Sequence, residues 1–358
     1  MKKHILVTGG AGYIGRHLCA RLAQLGCTPI SIDNLTRGDR AAVRWGPLCV
    51  GDVRDIQFLR RCIEENDVDT AVHLAAKAYV GESFQDPSSY YDNNVTGMLS
   101  LLRAVTGTKV KRIVFSSTCS SYDPSIMEAA NESSPVVPSS PYAATKVACE
   151  EMLRWFVRAN ECDVRILRFF NAAGAWPDAG IGEDHNPETH LIPVVVQAGL
   201  GRRGPVQVFG GNFPTPDGTA IRDYVHVRDI AEACTRVLQN SVETGRYEIY
   251  NLGYGTGVSV MDVLEAASSL IGKPIPFFVG DVRPGDPAVR LACIEKAKRE
   301  LGWAPVHSSL EGCIASCLEW EQLRTNAESN VIHVRQSKRT LSHRPVEREN
   351  LGSTKARV

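Results

Sequence analysis

The sequence predicts an α/β protein with a doubly wound parallel sheet and a smaller C-terminal lobe. Short apolar runs alternate with helical patterns through the first half of the chain, which is typical of β-α-β units. The first run leads into a glycine-rich turn that opens a helix, and the second run ends at an aspartate. These observations together favour a Rossmann-type sheet, in which such a turn binds nucleotide phosphates.

The glycine-rich turn follows the strand predicted for residues 4–8. Gly9 permits a tight turn, Gly12 lets the backbone approach a pyrophosphate, and Gly15 lets the helix pack closely on the sheet. The amides at this helix N-terminus would face the phosphates, because the helix dipole favours anions there. Ordinary strand-to-helix turns also have glycines at this spacing. Asp33 favours a nucleotide-binding turn. It lies about twenty residues after the glycines, where a carboxylate would hold the ribose hydroxyls of NAD.

The other elements follow in the same rhythm. Strands are predicted at residues 4–8, 28–32, 47–51, 70–74, 112–116 and 164–169, with helices at 13–25, 55–66, 91–106 and 142–160. We expect residues 1–170 to form the NAD-binding domain. Glycine and proline crowd residues 172–218, so we expect residues 171–324 to form mainly a substrate-binding lobe, with some segments returning to the first domain. Regular structure is predicted to return at residues 225–239, 247–252, 260–271 and 294–301.

Composition excludes several classes of function. The formal net charge is +0, so the chain offers no field that would attract nucleic acid or an anionic membrane. No apolar window reaches the roughly 18–20 residues of a membrane span, and the N-terminal apolar run is too short for a signal peptide. The eleven cysteines are scattered and form no Cys-x-x-Cys pair. They indicate reduced thiols in a cytoplasmic protein, and we expect neither disulfides nor a metal site.

The C-terminal residues 325–358 differ from the rest. They contain no aromatic residue, show little periodicity and are basic. We expect a disordered tail, and an arm that binds an anion or a partner stays open as the alternative.

A second group of residues carries candidate chemistry. Tyr142 and Lys146 lie four apart at the start of a predicted helix and so share one face. A nearby ammonium stabilises a phenolate, so we expect the pKa of Tyr142 to fall from about 10 towards that of a general base. Thr118 ends the strand that begins at Arg112, where a parallel sheet meets its ligand. Such Tyr-Lys pairs are common on helix surfaces, and the preceding nucleotide-binding unit is what favours catalysis here.

Ordered motifs across about residues 3–322 resemble the extended branch of the short-chain dehydrogenase/reductase superfamily, and within it the UDP-glucose 4-epimerases. The tail shows no such likeness. The motifs are Thr8-Gly-Gly-Ala-Gly-Tyr-Ile-Gly15, Gly51-Asp-Val-Arg54, Val80-Gly-Glu-Ser83, Tyr90-Tyr-Asp-Asn-Asn94, Phe115-Ser-Ser-Thr118, Ser140-Pro-Tyr-Ala-Ala-Thr-Lys146, Arg168-Phe-Phe-Asn171, His190-Leu-Ile-Pro193, Gly218-Thr-Ala-Ile-Arg-Asp-Tyr224 and Arg283-Pro-Gly-Asp286.

The resemblance implies an NAD cofactor and assigns roles to residues. Tyr142 would be the acid/base, Lys146 would bind the nicotinamide ribose, and Thr118 would hydrogen-bond the sugar hydroxyl. Asp33 would hold the adenosine ribose. The cofactor-binding residues it implies are Gly9, Gly12, Tyr13, Ile14, Gly15, Asp33, Asn34, Asp52, Val53, Leu74, Ala75, Ala76, Ala78, Asn94, Tyr142, Lys146 and Phe170.

The same resemblance implies a UDP-sugar as substrate. Arg222 and Arg283 fit independently, because guanidinium forks match the oxygens of a diphosphate. Taken alone, either arginine could equally form a surface salt bridge. The substrate-binding residues that the resemblance implies are Thr118, Asn171, His190, Leu191, Phe209, Arg222, Arg283, Asp286 and Arg290.

The chain departs from the family's pattern at several positions. Asp123 follows Tyr122 where a glycine is usual, and Phe169 replaces a tyrosine. Arg290 stands where family members commonly carry an aromatic or apolar residue beside the sugar. If Arg290 points inward it should exclude an N-acetyl group. The alternative is that it extends to solvent with its stem on the pocket rim.

We expect NAD-dependent 4-epimerisation of UDP-hexoses, UDP-glucose and UDP-galactose, through a transient 4-keto sugar. A 4-epimerase of UDP-pentoses (UDP-xylose and UDP-arabinose) or of another UDP-sugar stays open. A 4,6-dehydratase needs an Asp-Glu pair after the strand-end threonine, whereas Cys119 and Ser120 follow Thr118. A non-catalytic NAD sensor would usually lack a catalytic residue, and all are present.

The resemblance also implies a homodimer. The predicted helices 91–106 and 142–160 carry more apolar residues than one sheet face should cover, and the corresponding helices of the family form a four-helix bundle between two subunits. Burial under the chain's own loops is the alternative. The apolar residues are Leu99, Leu102, Val105, Val147, Met152 and Trp155.

Overall fold

A computed structural model describes residues 3–283 and 285–341, with side chains to residue 325. The strands of this part are β1 His4–Thr8, β2 Thr28–Asp33, β3 Leu48–Val50, β4 Thr70–His73, β5 Arg112–Thr118, β6 Ala129–Ala130, β7 Asp163–Phe169, β8 Asn171–Ala173, β9 Val206–Phe209, β10 Ile221–His226, β11 Tyr247–Leu252, β12 Gly257–Ser259, β13 Phe277–Gly280 and β14 Val289–Ala292.

The helices lie between these strands and begin near the predicted positions. Four short helical turns complete the list. The α-helices are α1 Tyr13–Gln24, α2 Ile56–Glu65, α3 Val80–Gln85, α4 Pro87–Tyr90, α5 Gly97–Val105, α6 Pro141–Ala159, α7 Leu191–Gly199, α8 Val227–Gln239, α9 Val260–Ile271, α10 Glu295–Leu301 and α11 Leu310–Leu341.

The main sheet confirms the predicted fold class. Its seven strands run in the order β11-β7-β5-β4-β1-β2-β3, and every neighbouring pair is parallel. The chain moves outward from β1 to β3, then returns to the other side of β1 to place β4. Ligands of doubly wound sheets bind outside the carboxyl ends of the strands, at the position where the order reverses. That position lies between β1 and β4.

The sheet is covered on both faces, which explains its apolar runs. All seven residues of β5 and of β7 are buried. Separate apolar clusters lie on its two sides; Leu18 belongs to one and Leu101 to the other. Strands buried on both faces need near-continuous apolar sequence, whereas one-sided strands alternate. This is why the inner strands could be predicted from short apolar runs, whereas β3 is a partly exposed edge strand.

The segments after residue 170 form smaller sheets and also extend the main one. β12, β10, β14 and β6 are neighbours in a second sheet, with β8 paired to β10. β13 pairs with β9. β11 instead pairs with β7 in the main sheet, so one segment of the expected substrate lobe lies in the NAD-binding sheet.

Two predicted segments differ in detail. The helix expected over residues 91–106 begins as a π-helical turn, Tyr91–Thr96, before α5. The regular segment expected over residues 225–239 is the end of β10 followed by α8. The apolar pattern there continues through His226, where strand passes directly into helix, so periodicity alone could not place the boundary.

The chain separates into a compact unit of residues 1–320 and a second unit that begins at residue 321. The helix α11 runs from Leu310 to Leu341, past residue 325, where the sequence predicts the tail to begin. Good helix formers such as Ala327, Glu328 and Gln336 favour that continuation. Residues 342–358, the rest of the predicted tail, lie outside the described residues.

All eleven cysteines lie in the described part of the chain as free thiols. Burial raises the pKa of several of them, Cys19 and Cys234 to about 12. Within the described residues, no helix combines the length and the apolar composition needed to cross a bilayer.

Candidate active site

At the glycine-rich turn after β1, backbone segments approach one another so closely that no side chain would fit between them. Gly9 has a φ of +72°, and a Cβ there would lie 2.8 Å from the backbone nitrogen of Ala75. A Cβ on Gly15 would lie 2.0 Å from the carbonyl oxygen of Gly9. The first turn of α1 therefore packs directly on the end of β1 and leaves its free amides at the carboxyl edge of the sheet. This cradle fits the pyrophosphate of NAD.

The residue after Gly12 is turned away from that cradle. Tyr13 is 6% exposed, and its hydroxyl donates a hydrogen bond to the carbonyl oxygen of Gly174 at 2.6 Å. Only its backbone lies at the turn, and Ile14 beside it is half-buried.

The carboxylate at the end of β2 is held by the same turn. Asp33 accepts hydrogen bonds from the amides of Ala11, at 3.1 Å, and Leu35, at 2.9 Å. Burial raises its pKa, and those two amides oppose the shift. The arrangement fits a ribose diol, which donates to a carboxylate.

The residues implied for the adenine end lie nearby on the next loops. Asn34 is exposed and donates to Asp52 at 3.4 Å. The Arg54 guanidinium lowers the pKa of Asp52 to about 2. Val53 is buried against Gly97 at the start of α5.

The segment after β4 runs beside the glycine turn. The amide of Leu74 bonds the carbonyl of Thr8 at 3.1 Å, and the amide of Ala75 bonds the Thr8 hydroxyl at 3.3 Å. Asn94 is buried and clamps this segment through the backbone N–H and C=O of Lys77, at 2.8 and 3.0 Å. The segment continues through Ala76 and Ala78, at the switch point of the sheet.

The candidate base lies at the mouth of this cleft. Tyr142 is the second residue of α6 and half-buried, with its ring edge-on to Tyr90 at 6.4 Å between centroids. Burial raises the pKa of Tyr142 to about 12, and a hydrogen bond with the Thr118 side chain opposes the shift. The expectation that Lys146 lowers this pKa is therefore wrong for the chain by itself.

The contacts of Lys146 explain why it does not lower the pKa of Tyr142. It is 3% exposed, donates to the carbonyl oxygen of Ser116 at 2.8 Å and lies 4.7 Å from the centre of the Phe115 ring. Its ammonium is thus engaged by the end of β5 instead of by the phenol. Burial lowers the pKa of Lys146 to about 8.

A buried network behind the catalytic residues was not predicted. Ser117 donates to Glu150 at 2.5 Å, and Glu150 accepts from two nitrogens of Arg168 at 2.9 and 2.6 Å. Glu150 lies four residues after Lys146 on the same face of α6, which is the sequence signal that could have found it. The network fixes α6 against β5 and β7.

The two arginines expected to bind substrate both contact one carboxylate. Asp286 lies 3.2 Å from Arg222 and 2.8 Å from Arg283. The Arg283 guanidinium lies 4.4 Å from the centre of the Phe209 ring. Cationic forks beside an aromatic face suit a diphosphate joined to a base.

Arg290 is buried, so the interpretation that it extends to solvent is wrong. It is 4% exposed and donates to the carbonyl oxygen of Asp123 at 3.1 Å. It lies across from Arg222 in the β10–β14 pair, and its charge acts on the thiol of Cys119, the residue after Thr118. The bond uses the main-chain carbonyl of residue 123, whereas the Asp123 side chain accepts from Ser125.

The other implied residues are more scattered. Phe170 is buried and Asn171 begins β8. Leu191 is the first residue of α7. His190 lies against Glu183, in a cluster of histidines and glutamates that was not predicted, and not against Arg222 or Arg283.

Comparisons with known proteins agree with this geometry. A sequence model of the NAD dependent epimerase/dehydratase family matches residues 5–253. The UDP-glucose 4-epimerase of Halalkalibacterium halodurans is 43% identical over 318 residues, which are 89% of this chain and 95% of that protein.

Solved structures are similar over most of the chain. The UDP-glucose 4-epimerase from Brucella ovis in complex with NAD has a TM-score of 0.84 and 40% identity, covering 88% of this chain and 97% of that one. The UDP-glucose 4-epimerase from Bifidobacterium longum in complex with NAD+ and UDP has a TM-score of 0.86 and 35% identity, covering 90% and 99%. The chain belongs to the NAD dependent epimerase/dehydratase family and, within it, to the UDP-glucose 4-epimerases.

Proposed function

We propose that the chain interconverts UDP-glucose and UDP-galactose by NAD-dependent epimerisation at C4, through a transient 4-keto sugar. The observation that carries this is the placement of Tyr142 beside Thr118, at the carboxyl edge where the glycine turn fits NAD. Solved relatives with NAD, and with NAD+ and UDP, support both ligands.

The chain's own residues would transfer one proton and bind two ligands, NAD and the UDP-sugar. Tyr142 accepts the proton of the sugar 4-hydroxyl, which Thr118 orients, and later returns it. A bound NAD+ would supply the hydride acceptor and donor for C4, and its positive charge would favour the phenolate form of Tyr142. Lys146 adds a buried positive charge one helical turn away.

The substrate half would supply binding energy remote from C4. We propose that residues 171–324 mainly hold the UDP group, with Arg222 and Arg283 on the diphosphate and Asp286 keeping both guanidinium groups in place. Anchoring at the nucleotide lets the hexose present either face to the same acid/base, so binding energy is used for positioning.

Other activities fit less well. Cys119 and Ser120 follow Thr118, so the acid/base pair of a dehydratase has no counterpart there. A sensor without activity would not need Tyr142, Lys146 and Thr118 together. UDP-pentoses lack only the C6 group, and a panel of UDP-sugars would rank them.

Replacing Tyr142 tests the proposal. Tyr142→Phe keeps the ring but removes the proton acceptor, so turnover of UDP-galactose should fall by about 10²–10⁴, while bound NAD is retained. The matched control is Tyr254→Phe, which removes a hydroxyl from a surface tyrosine. Turnover measured by a coupled assay, with extraction of the nucleotide, decides it. A Tyr142→Phe variant within threefold of wild type would show that the base lies elsewhere.

We also propose that Arg290 limits bulk beside the sugar, because its buried guanidinium adjoins the Thr118 strand end. Wild type should prefer UDP-glucose and UDP-galactose to their N-acetylated forms. Arg290→Ala should shift the ratio of the two kcat/KM values at least about tenfold towards the N-acetylated pair. Arg103→Ala, an exposed arginine, is the control. Equal use of UDP-N-acetylglucosamine by wild type would contradict this role.

We propose a two-fold homodimer through α5 and α6. Leu102 and Val105 pack in the chain's own core and leave nothing for a partner, which corrects part of the expected apolar face. Leu99 and Trp155 remain 38% and 58% exposed on the two helices, with Val147 and Met152 half-buried.

Light scattering at micromolar concentration should therefore give twice the chain mass. Trp155→Glu should halve it, because an unpaired carboxylate would be buried in the interface. Trp45→Glu, a half-buried tryptophan outside these helices, should leave the mass unchanged. A wild-type monomer would refute the dimer. We further propose a cytoplasmic location, in keeping with eleven free thiols.

A further inference from the structure

A cluster of histidines and glutamates lies in the loop before α7. Glu183, His185, Glu188 and His190 each offer one ligand atom, and these atoms all lie within 4.8 Å of one another. The proposed reaction assigns no proton or hydride transfer to the cluster, and His190, which the resemblance places among the substrate-binding residues, lies here against Glu183. Its residue types are those that bind divalent transition metals, since imidazole nitrogens and carboxylate oxygens are both ligands of zinc.

The spacing of the ligand atoms suits a small tetrahedral ion. Zinc binds nitrogen and oxygen ligands at about 2.0–2.2 Å, so its ligand atoms lie roughly 3.4 Å apart. His185 Nδ1 is 2.9 Å from Glu183 Oε1 and 3.9 Å from Glu188 Oε2. His190 Nδ1 also points at Glu183 Oε1. Shifts of less than about 1 Å would bring all four to the required distance.

Hydrogen bonds from the backbone already orient the carboxylates. Glu188 Oε1 accepts from the amides of Thr189, at 2.7 Å, and His190, at 2.9 Å, which turns Oε2 towards the cluster. The carbonyl of Glu183 is held by the indole nitrogen of Trp320 at 2.8 Å. Such supporting bonds around the ligands are typical of metal sites.

Burial and charge also favour a cation. Glu183 and Glu188 are 4% and 8% exposed, and the buried His185 Nδ1 lies 2.9 Å from Glu183 Oε1. Two adjacent buried carboxylates are costly unless a positive charge compensates them. A divalent cation with two neutral imidazoles would make the cluster electrically neutral, and His185 Nδ1 would be one of its ligands.

We propose that Glu183, His185, Glu188 and His190 form a closed, four-coordinate structural site for Zn²⁺. Four protein ligands fill the tetrahedron and leave no open position for substrate or water, as in structural zinc sites. The sequence expectation of no metal rested on the cysteines, which take no part in this cluster.

The site would brace the cofactor half of the cleft. The His185 ring lies edge-on to Tyr13, at 6.1 Å, and to Tyr79, at 5.7 Å. Tyr13 opens α1 directly after the glycine turn. Fixing residues 183–190 would therefore hold the entry to α7 against the start of α1, and loss of the metal should loosen both.

Metal content and cobalt spectroscopy test the proposal on the full untagged chain. After growth with zinc and exhaustive dialysis, elemental analysis should give about one Zn²⁺ per chain. Chelated protein titrated with Co²⁺ should develop the intense visible absorption of four-coordinate cobalt, saturating at one equivalent. His185→Gln and Glu188→Gln should each weaken Co²⁺ binding at least about 100-fold. His4→Gln, a histidine bonded only to the Asn66 carbonyl, should not.

These measurements distinguish metal binding at the cluster from binding elsewhere or no binding, and they do not depend on epimerase activity. Should a variant fail to fold, the wild-type cobalt titration alone decides. No binding near one equivalent, the weak spectrum of six-coordinate cobalt, or full binding by folded His185→Gln would each overturn the proposal. The last result would place the metal elsewhere, and the first would leave the cluster as an ion pair of His190 with Glu183.

Discussion

The position of α6 on the main sheet depends on the hydrogen bond that one buried lysine makes. Lys146 is 3% exposed, and it donates to the carbonyl oxygen of Ser116 near the end of β5. A buried ammonium must be hydrogen-bonded, so this bond sets the register of α6 against the sheet. Tyr142, one helical turn earlier, is thereby brought to Thr118, two residues beyond Ser116. The helix face behind it is fixed in the same way, because Asn94 donates to the Thr145 hydroxyl at 3.0 Å and Arg168 donates to Glu150 at 2.6 Å.

The same arrangement connects the proposed cofactor site to the helix that carries the proposed base. Asn94 bonds both the backbone beside the NAD cradle, at Lys77, and the catalytic helix, at Thr145. A cofactor seated on the glycine turn therefore contacts a segment that is hydrogen-bonded to the helix of the base. The raised pKa of Tyr142 fits this dependence, because a positive charge placed beside the phenol would stabilise the phenolate further.

Local sequence patterns predicted the cofactor turn and the Tyr-Lys pair. They did not predict contacts between residues far apart in the chain. The Gly9–Gly15 turn, Asp33 and the Tyr142–Lys146 pair have fixed spacings along the chain, so one sequence revealed them. Arg290 bonds Asp123 across 167 positions, and no periodicity marks such a pair. The pKa of Tyr142 depends on where the Lys146 ammonium points, which spacing leaves open. The cluster of Glu183, His185, Glu188 and His190 was not predicted, because the expectation of no metal rested on the cysteines, which take no part in it.

The central claim is that one bound cofactor removes and returns the same hydride at C4 while Tyr142 carries only the hydroxyl proton. The direct test uses UDP-glucose with deuterium at C4, incubated with the purified chain in ordinary water without added NAD. Mass and proton NMR spectra of the UDP-galactose formed report the label. If the same hydride is removed and returned, the UDP-galactose formed should retain all of its deuterium at C4. Loss of the label to solvent would contradict it, because the C4 hydrogen would then have left as a proton.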